Sequence, residues 1–211
     1  MPFDFTEIPI RPRIQEALRK EWAFLAAPGT WWSGSERVAI AAEARRAMFS
    51  NSPSGNLDLP APVAEVVGAV AADSPLITAD WVAGLEGKGV SLSAYAEIIG
   101  IVARLSAVDY FHKALGLPLE PLPEPQPGEP SQTPSPTDLV VGKSYVPMVR
   151  GVSIPQTVSL VPPESGAWQE LSDAMYMTFN EMDDPDFRRA MHRTQIELVA
   201  ARTSQINECF Y

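Results

Sequence analysis

The stretch from Leu117 to Pro136 limits most strongly how this chain can fold, because eight of its twenty residues are proline. Proline fixes its own φ angle and lacks a backbone N–H, so this stretch cannot be helical. We predict that residues 117–137 run extended as a semi-rigid connector or arm. A ligand for an SH3-like partner is the alternative to a spacer. The connector would divide the chain into two halves, 1–116 and 138–211.

On both sides of this connector, apolar residues recur at helical spacing, with few alternating stretches. Pro12 can open a first helix that Pro28-Gly29 closes, and Ser33 with Glu36 forms a capping-box pattern for a second helix through Phe49. Further helices are predicted at about 60–73, from Thr78, at 92–115, at 168–177 and at 185–206. Residues 51–56 and 139–161 are predicted to form loops or short extended pieces. The pattern indicates an all-α fold, with residues 1–211 as one domain.

The charge and cysteine content excludes several classes of function. A net charge of −10 argues against a nucleic-acid partner or an anionic membrane surface. No apolar run is long enough to span a bilayer, and the N-terminus lacks the pattern of a signal peptide. One cysteine gives no disulfide framework, which suits the cytoplasm. His112 and His192 receive no role, and we predict neither a metal nor a cofactor, because no pair of ligands has metal spacing.

The last 28 residues carry the clearest chemical signal. Asp184 is the predicted N-cap of a final helix and Pro185 its first helical residue. Apolar residues then mark one side of the helix: Phe187, Met191, Leu198, Val199, Thr203, Ile206 and Phe210. Glu197 lies in this run, and the only cysteine, Cys209, follows twelve residues later.

Residues 197–211, Glu-Leu-Val-Ala-Ala-Arg-Thr-Ser-Gln-Ile-Asn-Glu-Cys-Phe-Tyr, resemble the core motif of the alkylhydroperoxidase D-like and carboxymuconolactone decarboxylase-like proteins. In the peroxidase branch, a glutamate precedes a Cys-x-x-Cys pair at this spacing. The resemblance implies a helical bundle of the alkylhydroperoxidase D-like type and a thiol- or selenol-dependent peroxidase. Glu197 would be the proton-relay glutamate and Cys209 the first redox cysteine. It also implies a peroxide substrate, a thiol reductant and a homo-oligomer.

By the same resemblance, the second redox residue would directly follow Tyr211, and a histidine would come a few residues later. Some relatives carry selenocysteine at that second position, and its codon, UGA, is usually read as a stop. We therefore expect UGA after the codon for Tyr211, and we expect the 211-residue chain to be nearly inactive. A UAA or UAG codon would contradict the selenocysteine hypothesis.

Other interpretations of the motif stay open. Cys209 could be an apolar thiol that packs as a small hydrophobe, and Glu197 a solvated surface carboxylate. The carboxymuconolactone decarboxylase-like lyases share the fold without the cysteine pair, and a non-catalytic helical scaffold is a third alternative. Residues 97–116 also resemble the first-half helix of longer relatives, and Ala103-Arg-Leu-Ser echoes Ala201-Arg-Thr-Ser. Chance similarity between amphipathic helices accounts for that echo equally well.

The proposed pair also sets a geometric condition. In one straight helix, twelve residues would place Glu197 about 18 Å from Cys209, so the two can meet only if the helix breaks between them. Asn207 and Glu208 are the predicted break, since Asn tolerates the left-handed conformation. Glu197 is further expected to lie in an apolar pocket that raises its pKa toward useful values.

Overall fold

The computed structural model describes residues 3, 5, 8–49, 59–141, 144–150 and 158–208. In these ranges the regular structure is helical apart from one two-stranded antiparallel sheet, which confirms the all-α prediction. The more specific alkylhydroperoxidase D-like arrangement stays a prediction. The predicted loop 51–56 and the redox residue Cys209 lie outside the described residues.

The helices in chain order are α1 Pro12–Ala26, α2 Gly34–Phe49, α3 Ala61–Ala72, α4 Ala79–Ala83, α5 Leu92–Ala114, α6 Pro162–Met175, α7 Phe179–Asp183 and α8 Arg193–Ile206. Short 3-10 helices lie at Ser74–Leu76 and Glu86–Lys88, and strand β1 (Leu139–Val140) pairs with β2 (Met148–Val149). The chain forms two compact units, Met1–Leu171 and Ser172–Tyr211, so the division falls within α6 and not at the proline-rich stretch.

The first helices begin where the sequence predicts, because their capping chemistry is local. Pro12 occupies the start of α1, where its missing N–H costs nothing. Before α2, the Ser33 backbone N–H donates to Glu36 Oε2 at 2.8 Å and the Glu36 N–H donates to Ser33 Oγ at 3.4 Å. This is the predicted capping box. The helix predicted at 168–177 starts earlier, at Pro162, since proline is equally suited to a first helical turn.

The core of the first unit is formed by α1, α2, α3 and α5. Helix α5 is the longest, and it ends as predicted near Gly116, which has a φ of 70°. One side of α5 packs against the other three helices, and its buried apolar residues include Tyr95, Ile98, Ile101, Val102, Leu105 and Val108. None of the helices in the described ranges is both long and apolar enough to cross a membrane.

The proline-rich stretch 117–136, here called the strap, is irregular as predicted, but it belongs to the first unit. It lies along the segment that follows α1. Hydrogen bonds of 2.8–2.9 Å hold it there, from Trp22 Nε1 to the Pro121 carbonyl, Gln126 N to the Ala26 carbonyl, Ser131 N to the Gly29 carbonyl and Gln132 N to the Thr30 carbonyl. The strap is thus bound within its own chain.

The start of the last helix was predicted wrongly. Helix α8 begins at Arg193, with His192 as its N-cap, and not at Pro185. The Asp184 carboxylate accepts from the Asp186 N–H at 3.0 Å, which forms a local turn instead of a helix cap. After this turn the Arg193 N–H reaches back to the Phe187 carbonyl at 2.9 Å. The Asp184 side chain therefore stabilises a turn at the place where Pro185 could have begun a helix.

We expect Gly34→Ala to destabilise the protein by about 1–3 kcal/mol, because a Cβ at Gly34 would lie 2.5 Å from the Gln126 carbonyl oxygen of the strap and would also collide with the Ala26 carbonyl. Gly68 in α3 is the matched control, since a Cβ there meets nothing within 4 Å. We expect Gly68→Ala to stabilise by up to about 1 kcal/mol. Urea unfolding of both variants checks the difference, and equal stabilities would contradict the close approach of the strap.

Candidate functional site

Glu197 lies in the middle of α8, in the second unit, and its side chain is 43% exposed. Its Oε2 accepts a hydrogen bond of 2.7 Å from the Tyr176 hydroxyl. Its Oε1 lies 3.9 Å from an Arg193 guanidinium nitrogen, one helical turn earlier. The expected apolar pocket is therefore not what surrounds Glu197; a tyrosine and an arginine flank a partly solvated carboxylate.

Tyr176 is itself held in place by its neighbours within the second unit. Arg189 donates from Nη1 to the Tyr176 carbonyl, and from Nη2 to Glu181 Oε2 at 2.7 Å. Glu181 completes a capping box with Thr178 at the start of α7. Burial, together with the hydrogen bond to Glu197, raises the pKa of Tyr176 to about 12. The phenol therefore remains a hydrogen-bond donor to Glu197 across the physiological pH range.

Helix α8 ends at Ile206, where the sequence predicts a break. Asn207 is the C-cap residue, and Glu208 has a φ of 52°, in the left-handed region. A positive φ at a non-glycine residue turns the chain away from the helix axis. Ile206 comes nine residues after Glu197, so helical geometry sets the separation along the axis only up to Ile206, a rise of about 13.5 Å. Cys209 itself lies outside the described residues, so its distance from Glu197 stays untested.

Helix α8 also carries apolar side chains that nothing in the described chain covers. Leu198 is 70% exposed, Val199 56% and Ile206 66%, and no residue of α8 is buried. Single exposed apolar residues are ordinary on a protein surface, but three on one short helix form a patch.

A second group of ionisable residues lies in the first unit. It is a cluster of five buried side chains, here called the charge cluster: Glu21 of α1, Arg37 of α2, Glu97 and Arg104 of α5, and Glu164 of α6. Each is at most 5% exposed. Charged groups are almost never buried to this extent unless they are paired, because desolvation costs several kcal/mol per ion.

The two arginines connect the three carboxylates. Arg37 Nη1 contacts Glu97 Oε1 and donates to Glu164 Oε1 at 2.8 Å. Arg104 Nη2 donates to Glu164 Oε2 at 2.6 Å, and Arg104 Nε lies 2.9 Å from both oxygens of Glu21. Glu164 thus bridges the two guanidinium groups, and the cluster joins four helices through charge-assisted hydrogen bonds.

Backbone groups complete the cluster. Glu97 Oε2 accepts from the Thr30 N–H at 3.1 Å and from the Trp31 N–H at 2.7 Å. Gly29 and Gly100 leave the space for these carboxylates, since a Cβ at Gly29 would collide with Glu97 and one at Gly100 would lie 2.5 Å from Glu164 Oε2. Burial raises the pKa of Glu97 and that of Glu21, and the neighbouring arginines only partly offset this effect.

The two histidines behave as structural residues. His112 is 3% exposed, its Nδ1 pairs with the Val108 carbonyl at 3.0 Å, and its ring packs against Phe3 and Phe5. His192 caps α8, where its Nδ1 accepts from the Thr194 N–H. In the part of the chain that the structure describes, no group of three or more His, Cys, Asp and Glu side chains could hold a metal ion.

Sequence reasoning included Glu97 and Arg104 only within the segment 97–116, and it gave no member of the charge cluster a role. A signal was present. Glu21 lies between Leu18 and Leu25 on the apolar face of α1, and Arg104 lies beside Ile101 and Leu105 on the buried face of α5. An ionisable residue on the apolar face of a helix indicates a buried partner.

Comparisons of this chain with protein-family models, with curated proteins and with solved structures give no match. The family resemblance of residues 197–211 therefore stays a prediction that rests on those residues. The structure brings Glu197 together with Tyr176, a residue that the sequence did not single out.

We expect Arg104→Met to destabilise the protein by about 3–5 kcal/mol, because it leaves Glu21 and Glu164 buried with one guanidinium fewer. Arg150→Met is the matched control: Arg150 pairs with Asp138 at 3.1 Å, but both side chains are 67% exposed. That pair contributes at most about 1 kcal/mol. The free energy of unfolding in urea separates the two cases, and a small loss for Arg104→Met would show that the cluster is readily solvated.

Proposed function

We propose that this protein is a thiol- or selenol-dependent peroxidase of the alkylhydroperoxidase D-like type, with its site on α8 and the residues that follow it. The observation that carries the proposal is the motif from Glu197 to Cys209 together with the end of α8 at Ile206. A helix that continued through Cys209 would have kept the two side chains apart. Its end at Ile206 removes that obstacle.

The chemistry needs two redox residues. In the first step, a thiolate or selenolate attacks the peroxide oxygen, the O–O bond breaks, and the leaving alkoxide takes up a proton to become an alcohol. The oxidised sulfur or selenium is then attacked by the second redox residue, which releases water and forms a bridge. A dithiol reductant returns the pair to its reduced state. By family analogy, the residue after Tyr211 attacks the peroxide and Cys209 resolves.

Glu197 would move the protons in this cycle, accepting one from the attacking thiol or selenol and delivering one to the alkoxide. Its partial exposure gives it access to solvent protons. Tyr176 would act as a positioning residue, since its hydroxyl fixes Glu197 Oε2 at 2.7 Å. Because its pKa is raised to about 12, Tyr176 does not lose that donor at neutral pH.

The apolar patch on α8 supports the second part of the proposal, a homo-oligomer. Leu198, Val199 and Ile206 lie on the helix that carries Glu197, so self-association through them would cover the patch. Apolar surface of this kind is typical of the central part of homo-oligomer interfaces.

The proposed peroxidase is tested by comparing residues 1–211 with a chain extended by cysteine directly after Tyr211 and by residues through a histidine. We expect peroxide turnover with a dithiol reductant in the extended chain and almost none in the shorter one, because a lone sulfenic acid cannot be resolved. In the extended chain, Glu197→Gln should slow turnover by ~10²–10⁴. Equal turnover by the short and extended chains would refute the site.

Two further variants of the extended chain separate positioning from proton transfer. Tyr176→Phe removes only the hydroxyl that binds Glu197, so we expect a smaller loss in kcat than for Glu197→Gln, together with a shifted pH profile. Glu86→Gln, at an exposed carboxylate in a 3-10 helix, is the control and should leave turnover unchanged. An unaffected Glu197→Gln variant would remove the role of the glutamate alone.

For the oligomer, we expect light scattering at micromolar concentration to give a mass above the 23.0 kDa of one chain. Leu198→Glu places a charge in the patch and should lower that mass, since a buried unpaired charge opposes association. The control is Leu76→Glu, at another exposed leucine outside α8, which should leave the mass unchanged. A monomer at this concentration would contradict the proposal.

A further inference from the structure

A cleft in the first unit runs between α1 and the first part of α6. It has a volume of about 410 Å³, which is in the range of small-molecule sites. Ala17 and Phe24 of α1 and Ala167 and Leu171 of α6 form apolar walls. Glu21, a member of the charge cluster, lines the same cleft although it is only 5% exposed. Glu21 therefore belongs both to the charge cluster and to the wall of a largely apolar cleft.

The charge cluster is not balanced. It holds three carboxylates, Glu21, Glu97 and Glu164, against two guanidinium groups, so it carries one negative charge in excess when all five are ionised. The Arg45–Asp109 pair in the same unit is balanced, since the Asp109 carboxylate accepts from Arg45 Nε at 2.8 Å and from Arg45 Nη2 at 2.6 Å. The excess charge of the cluster needs a compensating cation or proton.

Hydrogen-bond donors indicate which carboxylate carries the excess. Glu97 accepts from Arg37 and from two backbone N–H groups. Glu164 accepts from a different arginine on each oxygen. Within the described part of the chain, Glu21 accepts from one N–H group, that of Arg104 Nε, which lies between its two oxygens. Glu21 is thus the least well supplied of the three carboxylates, and it is the one that lines the cleft.

The side chains at the mouth of the cleft also carry a net negative charge. Among the described residues that line it, Lys20 is the only cation, and it lies 3.5 Å from Glu16 and 3.9 Å from Glu170. These two carboxylates outnumber the ammonium group, and all three side chains are more than 60% exposed. The rim therefore attracts a cation rather than an anion, as does the net charge of −10 on the whole chain.

We propose that this cleft binds a small organic ammonium ion with an apolar body, whose charged head donates hydrogen bonds to Glu21 and whose body packs between α1 and α6. The ammonium supplies the positive charge that the cluster lacks. Its apolar body covers the side chains of Phe24 and Leu171, which are then no longer in contact with water. The proposal concerns the first unit alone and does not depend on the peroxidase site at Glu197.

Protons compete with such a ligand. Burial is the main cause that raises the pKa of Glu21, and the nearby Glu164 raises it further, whereas Arg104 and Arg37 lower it. Lys20 and Glu170 face the same cleft from its rim. Below its pKa the Glu21 carboxyl is neutral and no longer holds an ammonium ion, so the affinity should fall about tenfold for each pH unit in that range.

The test uses isothermal titration calorimetry of the full chain at pH 8 with n-hexylamine, which is cationic at that pH, and with the matched neutral and anionic probes 1-hexanol and hexanoate. We expect saturable one-site binding of n-hexylamine and at least about tenfold weaker binding of the other two. Glu21→Gln should weaken the amine at least about tenfold and abolish its pH dependence. Glu86→Gln, an exposed carboxylate outside the cleft, should have no effect.

Ala167→Phe keeps the test decisive if Glu21→Gln disturbs the cluster, because it fills the cleft without changing a charge. It should abolish amine binding while far-ultraviolet circular dichroism shows an unchanged helical content. Equal affinities for hexylamine and hexanol, the absence of saturable amine binding, or full amine affinity in Ala167→Phe would each overturn the proposal.

Discussion

The first unit depends on the electrostatic interaction between two buried arginines and three buried glutamates. Arg37 and Arg104 bind Glu21, Glu97 and Glu164, each of these side chains is at most 5% exposed, and the five residues come from four helices. Hydrophobic burial would be satisfied by many relative positions of these helices, whereas hydrogen bonds to guanidinium groups are directional. The charge cluster therefore fixes which arrangement of α1, α2, α5 and α6 is the native one.

The path of the chain around the cluster follows from the same requirement. The segment after α1 must bring the N–H groups of Thr30 and Trp31 to Glu97, and this leaves no space for a side chain at Gly29. The strap then supplies hydrogen bonds to the carbonyls of that segment, which α1 and α2 leave without helical partners. A stretch rich in proline suits this task, because it stays extended and cannot form a helix of its own.

Much of the helical structure could be predicted from sequence because it depends on neighbouring residues. Pro12 at the start of α1, the Ser33–Glu36 capping box and the break after Ile206 are local features, and the structure has all three. The start of α8 could not be predicted, since the Asp184 side chain binds the Asp186 N–H in a local turn and α8 begins only at Arg193. The charge cluster could not be predicted without knowing which distant helices pack together, because Glu21 and Glu164 are separated by most of the first unit. The pairing of Glu197 with Tyr176 likewise depends on packing within the second unit.

The charge cluster also has a consequence for the order in which the first unit folds. Burying either arginine is unfavourable until its carboxylate partners are present. Both arginines pair with Glu164, which lies in α6. A nascent chain that has emerged through α5 has Glu21, Arg37, Glu97 and Arg104 but lacks the bridge between the two guanidinium groups. We therefore expect the core to close late, because contacts that span residues 21–164 have a sequence separation that slows folding. The interaction that defines the native arrangement thus also delays its completion until α6 has been synthesised.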